Sequence, residues 1–211
     1  GLRGGLQPIP ISIVDAGDMV NVKMVPLVLN TPFTILKTME IPGMPEVSYM
    51  SNKEAEKLIT LIHQPKEGNK KWEKPNVVLI ILESFSKEYI GYYNNGIGYT
   101  PFLDSLLGQS LTFENSFANG MRSIDGIPAI TASIPMLTTS ALIRSPYAAN
   151  EFNSLANTLG DFGYNTSFYH GGTDGTMGFD HYTKVAGYDH CNEMTAYPNH
   201  KEDFDGAWGI P

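Results

Sequence analysis

The sequence predicts an α/β fold: a mixed or largely parallel central sheet flanked by helices, preceded by an extended N-terminal segment. Three observations predict it. NVVLIILE, residues 76–83, is a continuous apolar run ending in a carboxylate, the pattern of a strand covered on both faces. After it, strand-like and helix-like segments alternate, as a layered α/β sheet requires. Before it, the polar, proline-bounded stretch PKEGNKKWEKP at 65–75 reads as a linker, dividing the chain into 1–74 and 75–211.

The elements follow in order. Residues 1–50 are punctuated by Gly and Pro, with short β-branched runs such as PISIV; VNVKMVPLVLNTPFTILKTMEI at 20–41 is compatible with one helix or with two strands. SNKEAEKLITLIHQ at 51–64 spaces Ala55, Leu58, Ile59 and Ile62 helically behind Ser51, a candidate N-cap. PFLDSLLGQ at 101–109 reads as a short helix with Pro in its first turn, and LTFENSFAN at 111–119 alternates like a strand. FNSLANTLGDFGYNTSFYHGG at 152–172 gives a helix carrying Leu155 and Leu159, a stop at Gly163, and a strand ending at His170. In such sheets ligands sit outside the carboxyl ends of the strands.

Composition narrows the function. With 211 residues, 42% hydrophobic and 17% charged, the chain has an ordinary globular balance and room for one sizeable core. A formal charge of -8 and a pI near 5 argue against a nucleic-acid surface, which needs a track of Lys and Arg. Cys191 is the sole cysteine, which excludes an intrachain disulfide and a thiolate zinc cluster. The longest aliphatic run, 77–82, falls far short of the ~20 residues of a membrane helix, so the chain as given reads as a soluble piece.

Three positions fall at the predicted sheet edge. Glu83 ends the first apolar run; a carboxylate there suits a cation, and equally it caps a turn or pairs with a lysine. Ser123, in ANGMRSIDGIPAI, follows a Gly-containing turn where a helix can begin with the serine at or near its N-cap. The N–H groups and positive end of such a helix form an anion site for a phosphoryl or sulfuryl group, and Arg122 adds a donor fork. A serine hydroxyl is protonated at neutral pH and needs a base or metal to become a nucleophile; a metal shared with Glu83 is the economical activator. An ordinary serine cap beside a surface arginine is the competing interpretation. His170, in YHGGTDG, ends a strand where two glycines permit close backbone approach, suited to substrate oxygen, to a metal or to a structural role. His63, His181, His190 and His200 are read as surface or packing residues.

NVVLIILESFS, TPFLDSLL, LTFENSFANGMRSIDGIPAI, SFYHGG and FDGAWGIP, in this order, resemble the sulfatase-like phosphoglycerol transferases, the lipoteichoic acid synthases among them, within the alkaline phosphatase superfamily. The resemblance covers about residues 75–211, and GLRGGLQPIPI is similar to the segment that follows the membrane domain in such proteins. It implies a sulfatase-like central sheet, incomplete at the C-terminus, and a divalent metal, usually manganese, with zinc, magnesium or calcium as other candidates. It implies Glu83 as a metal ligand and Ser123 as the metal-bound nucleophile that forms a covalent glycerophosphoryl intermediate, with Thr131 and Ser133 as fallback hydroxyls. His170 and Arg122 would bind substrate. Where the lipoteichoic acid synthases carry Asp, Trp and Arg to hold glycerophosphate, the nearest counterparts here are Gly172, Met177 and Phe179, and Asp174 substitutes for the acid. The family's remaining ligands, an Asp-His pair and a further His, lie beyond the WGIP segment with which this chain ends, which implies an incomplete metal site and an inactive isolated chain.

The resemblance further implies a phospholipid or glycan-linked diester as substrate, no nucleic acid, and a membrane-anchored parent protein at the extracytoplasmic face of the bacterial cytoplasmic membrane, with self-association through exposed apolar surface. Hydrolysis of a sulfate or phosphate ester is the nearest alternative, and a non-catalytic extracytoplasmic module the alternative of another class. Formylglycine sulfatases need Cys or Ser in C/S-x-P-x-R, whereas Ser123 is followed by Ile-Asp-Gly-Ile and Cys191 by Asn-Glu-Met. Sulfatase chemistry proper is thereby set aside, while the fold family is retained.

Overall fold

A computed structural model describes residues 16, 20, 24–39, 43–44, 46–59 and 73–199. The segments 1–11 and 204–211, most of the 65–75 linker, His63 and His200 lie outside the described residues. The chain forms two compact units, one of residues 1–44 with 117–211 and one of residues 45–116.

In the first unit, the 20–41 stretch is helical where described: α1 spans Val25–Val28 and α2 spans Thr31–Thr38. The rest is organised by α5 (Ser123–Ala132), α6 (Leu155–Asp161), β1 (Ser167–Tyr169), α7 (Phe179–Val185) and β2 (His190–Asn192). β1 and β2 pair in parallel, with Ser167 opposite His190 and Tyr169 opposite Asn192, and α7 makes the crossover. The class is the α/β one expected, reduced among the described residues to two strands, of which only β1 lies in a predicted strand.

Its core forms because the helices and the crossover present their apolar faces to one another. Ile124 and Ile127 of α5, Ala141, Ile143, and Phe179, Tyr182 and Ala186 around α7 are buried together, with Phe152, Phe168, Met177 and Tyr188 packed against them. Phe168 meets Phe179 and Tyr188 at ring separations of 5.8 and 5.7 Å, near the tilted geometries aromatic quadrupoles favour. The Tyr182 hydroxyl is satisfied by Thr131 Oγ1 at 2.6 Å, and burial pushes its pKa up to about 12. α6 begins at Ser154, whose hydroxyl accepts from the Asn157 N–H at 3.0 Å, and the chain leaves it through Gly163 at φ 78°, as the Ser-Leu and Gly-Tyr signals require.

The second unit holds α3 (Asn52–Leu58), two 3-10 turns (Lys87–Tyr89 and Gly91–Tyr93) and α4 (Pro101–Leu107). Ser51 caps α3 as expected, its N–H and hydroxyl donating to Glu54 Oε2 at 3.0 and 2.7 Å. Asp104 ties α4 to the preceding loop, accepting from the Tyr92 N–H at 3.0 Å and the Thr100 hydroxyl at 2.9 Å. A side chain at Gly98 would come within 2.3 Å of the Gly91 nitrogen, so that loop closes only over glycine.

Two expectations are corrected. Residues 76–82 form no strand and are exposed, Val78 at 80% and Ile80 at 73%, instead of a buried central strand. Residues 111–119 likewise form no strand, with Phe113 and Phe117 exposed. The reason is non-local: a strand is defined by the neighbour that satisfies its N–H and C=O groups, and among the described residues the only paired strands are β1 and β2.

The start of the parallel pair is clamped by Asp189, whose Oδ2 accepts from the Thr166 N–H at 2.7 Å and hydroxyl at 2.9 Å. These bonds hold the carboxyl below its ordinary range. A folded pKa below the unfolded one adds stability above the ordinary carboxylate range and loses it as pH falls through the depressed folded value. Urea denaturation across a pH series is therefore expected to show Asp189→Asn destabilising the chain at about pH 7 and converging on wild type only as the pH falls below the ordinary carboxylate range. A difference independent of pH would refute the clamp.

Candidate functional site

The apolar N-terminal turn of α5 places the serine. The helix begins at Ser123 with Arg122 as the N-cap in extended conformation, so the serine occupies the first helical position, next to the cap, as expected. The first intrahelical bonds run from the Asp125 and Gly126 N–H groups to the Arg122 carbonyl at 3.0 and 2.9 Å. The Ser123 and Ile124 N–H groups precede those bonds, where the helix carries its partial positive charge. Pro128 lies within the helix, fully buried, and its carbonyl accepts from Ser133, whose left-handed φ of 55° ends the element. Thr131 is buried and its hydroxyl donates to the Ile127 carbonyl at 2.8 Å while meeting Tyr182, which makes it part of the core; Ser133 is exposed at the cap.

Arg122 is only partly turned outward. Its Nε and Nη2 donate to Asp125 Oδ2 and Oδ1 at 2.8 and 3.2 Å, a fork that occupies two of the guanidinium's five N–H donors. Asp125 is 1% exposed at its side chain against 59% for Arg122, so the carboxylate is the fixed member and the arginine head is held over the serine-bearing turn. Asp125 thus belongs to the site although no role for it is read from the sequence; its signal is the i, i+3 spacing of Arg and Asp across a helix start. Beside this turn lies a cavity of about 260 Å³ lined by Met44, Asp125, Pro128, Pro135, Tyr147 and Phe152, among others.

His170 follows β1 directly, as predicted. The ladder continues past the strands: the His170 N–H donates to the Asn192 carbonyl at 3.0 Å and the Met194 N–H to the Gly172 carbonyl at 3.1 Å. The imidazole stands edge-on to Phe179 at 4.8 Å, with Nδ1 3.7 Å from Glu193 Oε1. Glu193 is buried, and its other oxygen accepts from the Gly175 N–H at 2.7 Å. Burial lowers the proton affinity of His170 and raises that of Glu193, whose carboxylate also feels Asp180 and Asp174. Asp174 accepts from the Thr195 N–H at 3.0 Å and from its hydroxyl, so within this unit it fastens the 171–178 loop to the chain after β2. Glu193 has no local sequence signal; only the strand register brings it to His170.

Glu83 belongs to the other unit. It is exposed at a turn, accepts from the Ser84 hydroxyl at 3.3 Å, and is presented by Ser84 in the left-handed region at φ 50°, a conformation that costs a serine about 1 kcal/mol. Ser123, Arg122, His170 and Asp174 share the first unit, where the turn at Ser123 and the loop after His170 flank one apolar cluster through Ile124 and Phe179.

Comparison with known proteins gives the family. The Sulfatase family matches residues 75–208, and the chain belongs to it. A solved structure of a protein in the alkaline phosphatase superfamily from Vibrio parahaemolyticus is 27% identical, with a TM-score of 0.48, over 58% of this chain and 30% of its own. Members of the family are enzymes acting on sulfate or phosphate esters and are typically metal-dependent. Among the described residues no three His, Cys, Asp or Glu side chains cluster to hold a metal ion, and no helix is long and apolar enough to cross a membrane.

Close approach at the turn yields a test. A methyl group at Gly120 would sit 2.5 Å from the Asp125 Cβ and 2.9 Å from its carbonyl carbon. Gly120→Ala is expected to destabilise the chain by about 1–3 kcal/mol in urea denaturation, the usual cost of overpacking. An unchanged midpoint would show that the glycine packing against Asp125 is dispensable.

Proposed function

We propose that the protein is a metal-dependent enzyme of the phosphoglycerol transferase type, in which Ser123 attacks the phosphorus of a phospholipid-derived or glycan-linked diester. One observation carries this reading: a serine hydroxyl stands at the first position of a ten-residue helix, beside an arginine that a buried aspartate fixes in place. The helix start and the remaining Arg122 donors favour the anionic phosphoryl oxygens over bulk water. As the Ser123 oxygen bonds to phosphorus, the P–O bond to the leaving group breaks and the serine proton passes by way of a base to the departing oxygen, releasing an alcohol; the serine is released when an acceptor alcohol attacks the phosphoserine and gives its proton back to the serine oxygen. His170 is the candidate group to exchange a proton with the departing or incoming oxygen or to bind a phosphoryl oxygen, and Asp174 shapes the loop beside it. A divalent cation, manganese by resemblance, would when bound lower the pKa of the Ser123 hydroxyl and offset developing negative charge.

The mostly apolar cavity beside α5 suits the glycerol or lipid portion of such a diester better than a bare sulfate or phosphate. The 1–11 segment, similar to the stretch that follows a membrane domain, supports an anchored parent protein working at the extracytoplasmic face of the membrane. Hydrolysis is the second reading, favoured by membership of the Sulfatase family; it differs only in that water takes the place of the acceptor alcohol.

Ser123→Ala in the full-length protein, assayed with manganese on a glycerophosphate diester, is expected to reduce turnover below about 1% of wild type while the thermal midpoint stays near wild type. Residual activity above a few per cent would refute the nucleophile. Product analysis in the presence of an added alcohol separates the readings: a new diester marks transfer, and free phosphomonoester alone marks hydrolysis.

A further inference from the structure

We propose that Glu193 is a positioning residue for His170: its buried carboxylate holds the imidazole as the Nδ1–H tautomer and leaves Nε2 as the nitrogen that meets a phosphoryl or sulfuryl oxygen. The assignment deepens the reading of His170 as a substrate-facing group and rests on it. Backbone register comes first. Tyr169 is opposite Asn192, and the ladder extends through the His170 N–H to Asn192 and the Met194 N–H to Gly172, which puts residue 193 beside residue 170. Neighbours at the same level of a parallel pair project their side chains to the same face. A histidine and a glutamate are thereby forced together by topology, 23 residues apart in sequence.

The carboxylate is fixed independently of the ring. Oε2 accepts from the Gly175 N–H at 2.7 Å, which leaves Oε1 facing Nδ1 at 3.7 Å. That separation is within ion-pair reach and beyond hydrogen-bond length, and a ring displacement of under about 1 Å closes it. The ring is restricted on its other sides by Phe179 and by Gly172, where a Cβ would come within 2.7 Å of His170 Cε1. Nδ1 is buried, while 18% of the side chain is still exposed. A neutral imidazole carries one N–H, and an acceptor-only carboxylate against Nδ1 selects the tautomer with that hydrogen facing it. When a proton from solvent or from an ester oxygen adds to Nε2, the Glu193 charge stabilises the imidazolium so formed. Asp174 and Asp180, the other acids near Glu193, add to the same negative potential.

The test is nuclear magnetic resonance of the full chain labelled with 15N and 13C histidine, with the His170 signals assigned through His170→Asn. The two ring nitrogens report the tautomer and their titration reports proton affinity. Wild type is expected to show His170 as Nδ1–H. Glu193→Gln, which keeps an acceptor for Gly175 and removes the charge, is expected to mix the tautomers and lower the titration midpoint by about half a unit or more, roughly a threefold loss of proton affinity. Glu193→Asp, which keeps the charge, should lie between the two. A predominant Nε2–H ring in wild type overturns the proposal without any variant, and so does a Glu193→Gln midpoint within about 0.1 unit of wild type. Because the readout needs no turnover, an Nδ1–H ring in a chain whose full-length parent cleaves no diester sustains the positioning role and sinks only the enzymatic reading.

Discussion

The parallel register between β1 and β2 is the constraint on which the rest of the first unit depends. Three residues per strand supply little energy by themselves, and a two-strand pair alone is marginal in water. The register is made unique by what lies at its ends and on its face. Asp189 grips the N–H and hydroxyl of Thr166 at one end, and Phe168 fits between Phe179 and Tyr188 on the buried face. A slip of one residue would turn Phe168 to solvent and expose apolar area worth about 2 kcal/mol. It would also move Glu193 away from His170. Packing that looks purely structural thus determines which side chains meet at the strand ends.

The same core fixes the serine. Ile124 and Ile127 bury one face of α5 against Phe179 and Tyr182, and the Thr131 to Tyr182 bond, 51 residues apart, anchors the far end of the helix. Ser123 lies in the turn that this packing leaves at the rim. Arg122 is held from beneath by the buried Asp125, so its head is placed by an ion pair whose acidic partner is itself immobile. A surface arginine otherwise keeps most of its rotamer freedom, and binding an anion would cost that entropy anew.

What was legible in the sequence was local. Ser51, Pro101, Gly163 and the helix start at Ser123 each carry their instruction within four residues, and each boundary formed close to them, although the helix behind Ser51 stops at Leu58 with Ile59 extended, short of the reach its spacing predicts. His170 at a strand end was also readable, because Ser-Phe-Tyr before it and Gly-Gly after it mark the boundary. The apolar run at 76–82 was misread as a paired strand for the opposite reason: its composition states an affinity for burial and says nothing of which neighbour satisfies its backbone. Glu193 escaped notice because Asn-Glu-Met has no pattern of its own. Asp125 has one, the i, i+3 spacing to Arg122, but that spacing alone does not say that the carboxylate is buried.

Comparison of two histidines shows why burial alone does not make a site. His170 and His181 are both shielded enough that their proton affinity falls below the ordinary value. His181 is 1% exposed on the inner face of α7, and neither ring nitrogen reaches hydrogen-bond geometry, although the Ala148 carbonyl and Asp180 oppose the effect of burial. Such a ring is held neutral as a space-filling aromatic and has no route to a ligand. His170 differs by two features, a partly exposed side chain and a carboxylate fixed beside Nδ1. On the proposed reading, the exposed part admits a reacting oxygen and the carboxylate favours protonation of the ring despite the low local polarity. Since α7 supplies both His181 and the Phe179 that braces His170, one helix helps set the surroundings of both rings, and the turn after β2 places a carboxylate beside His170.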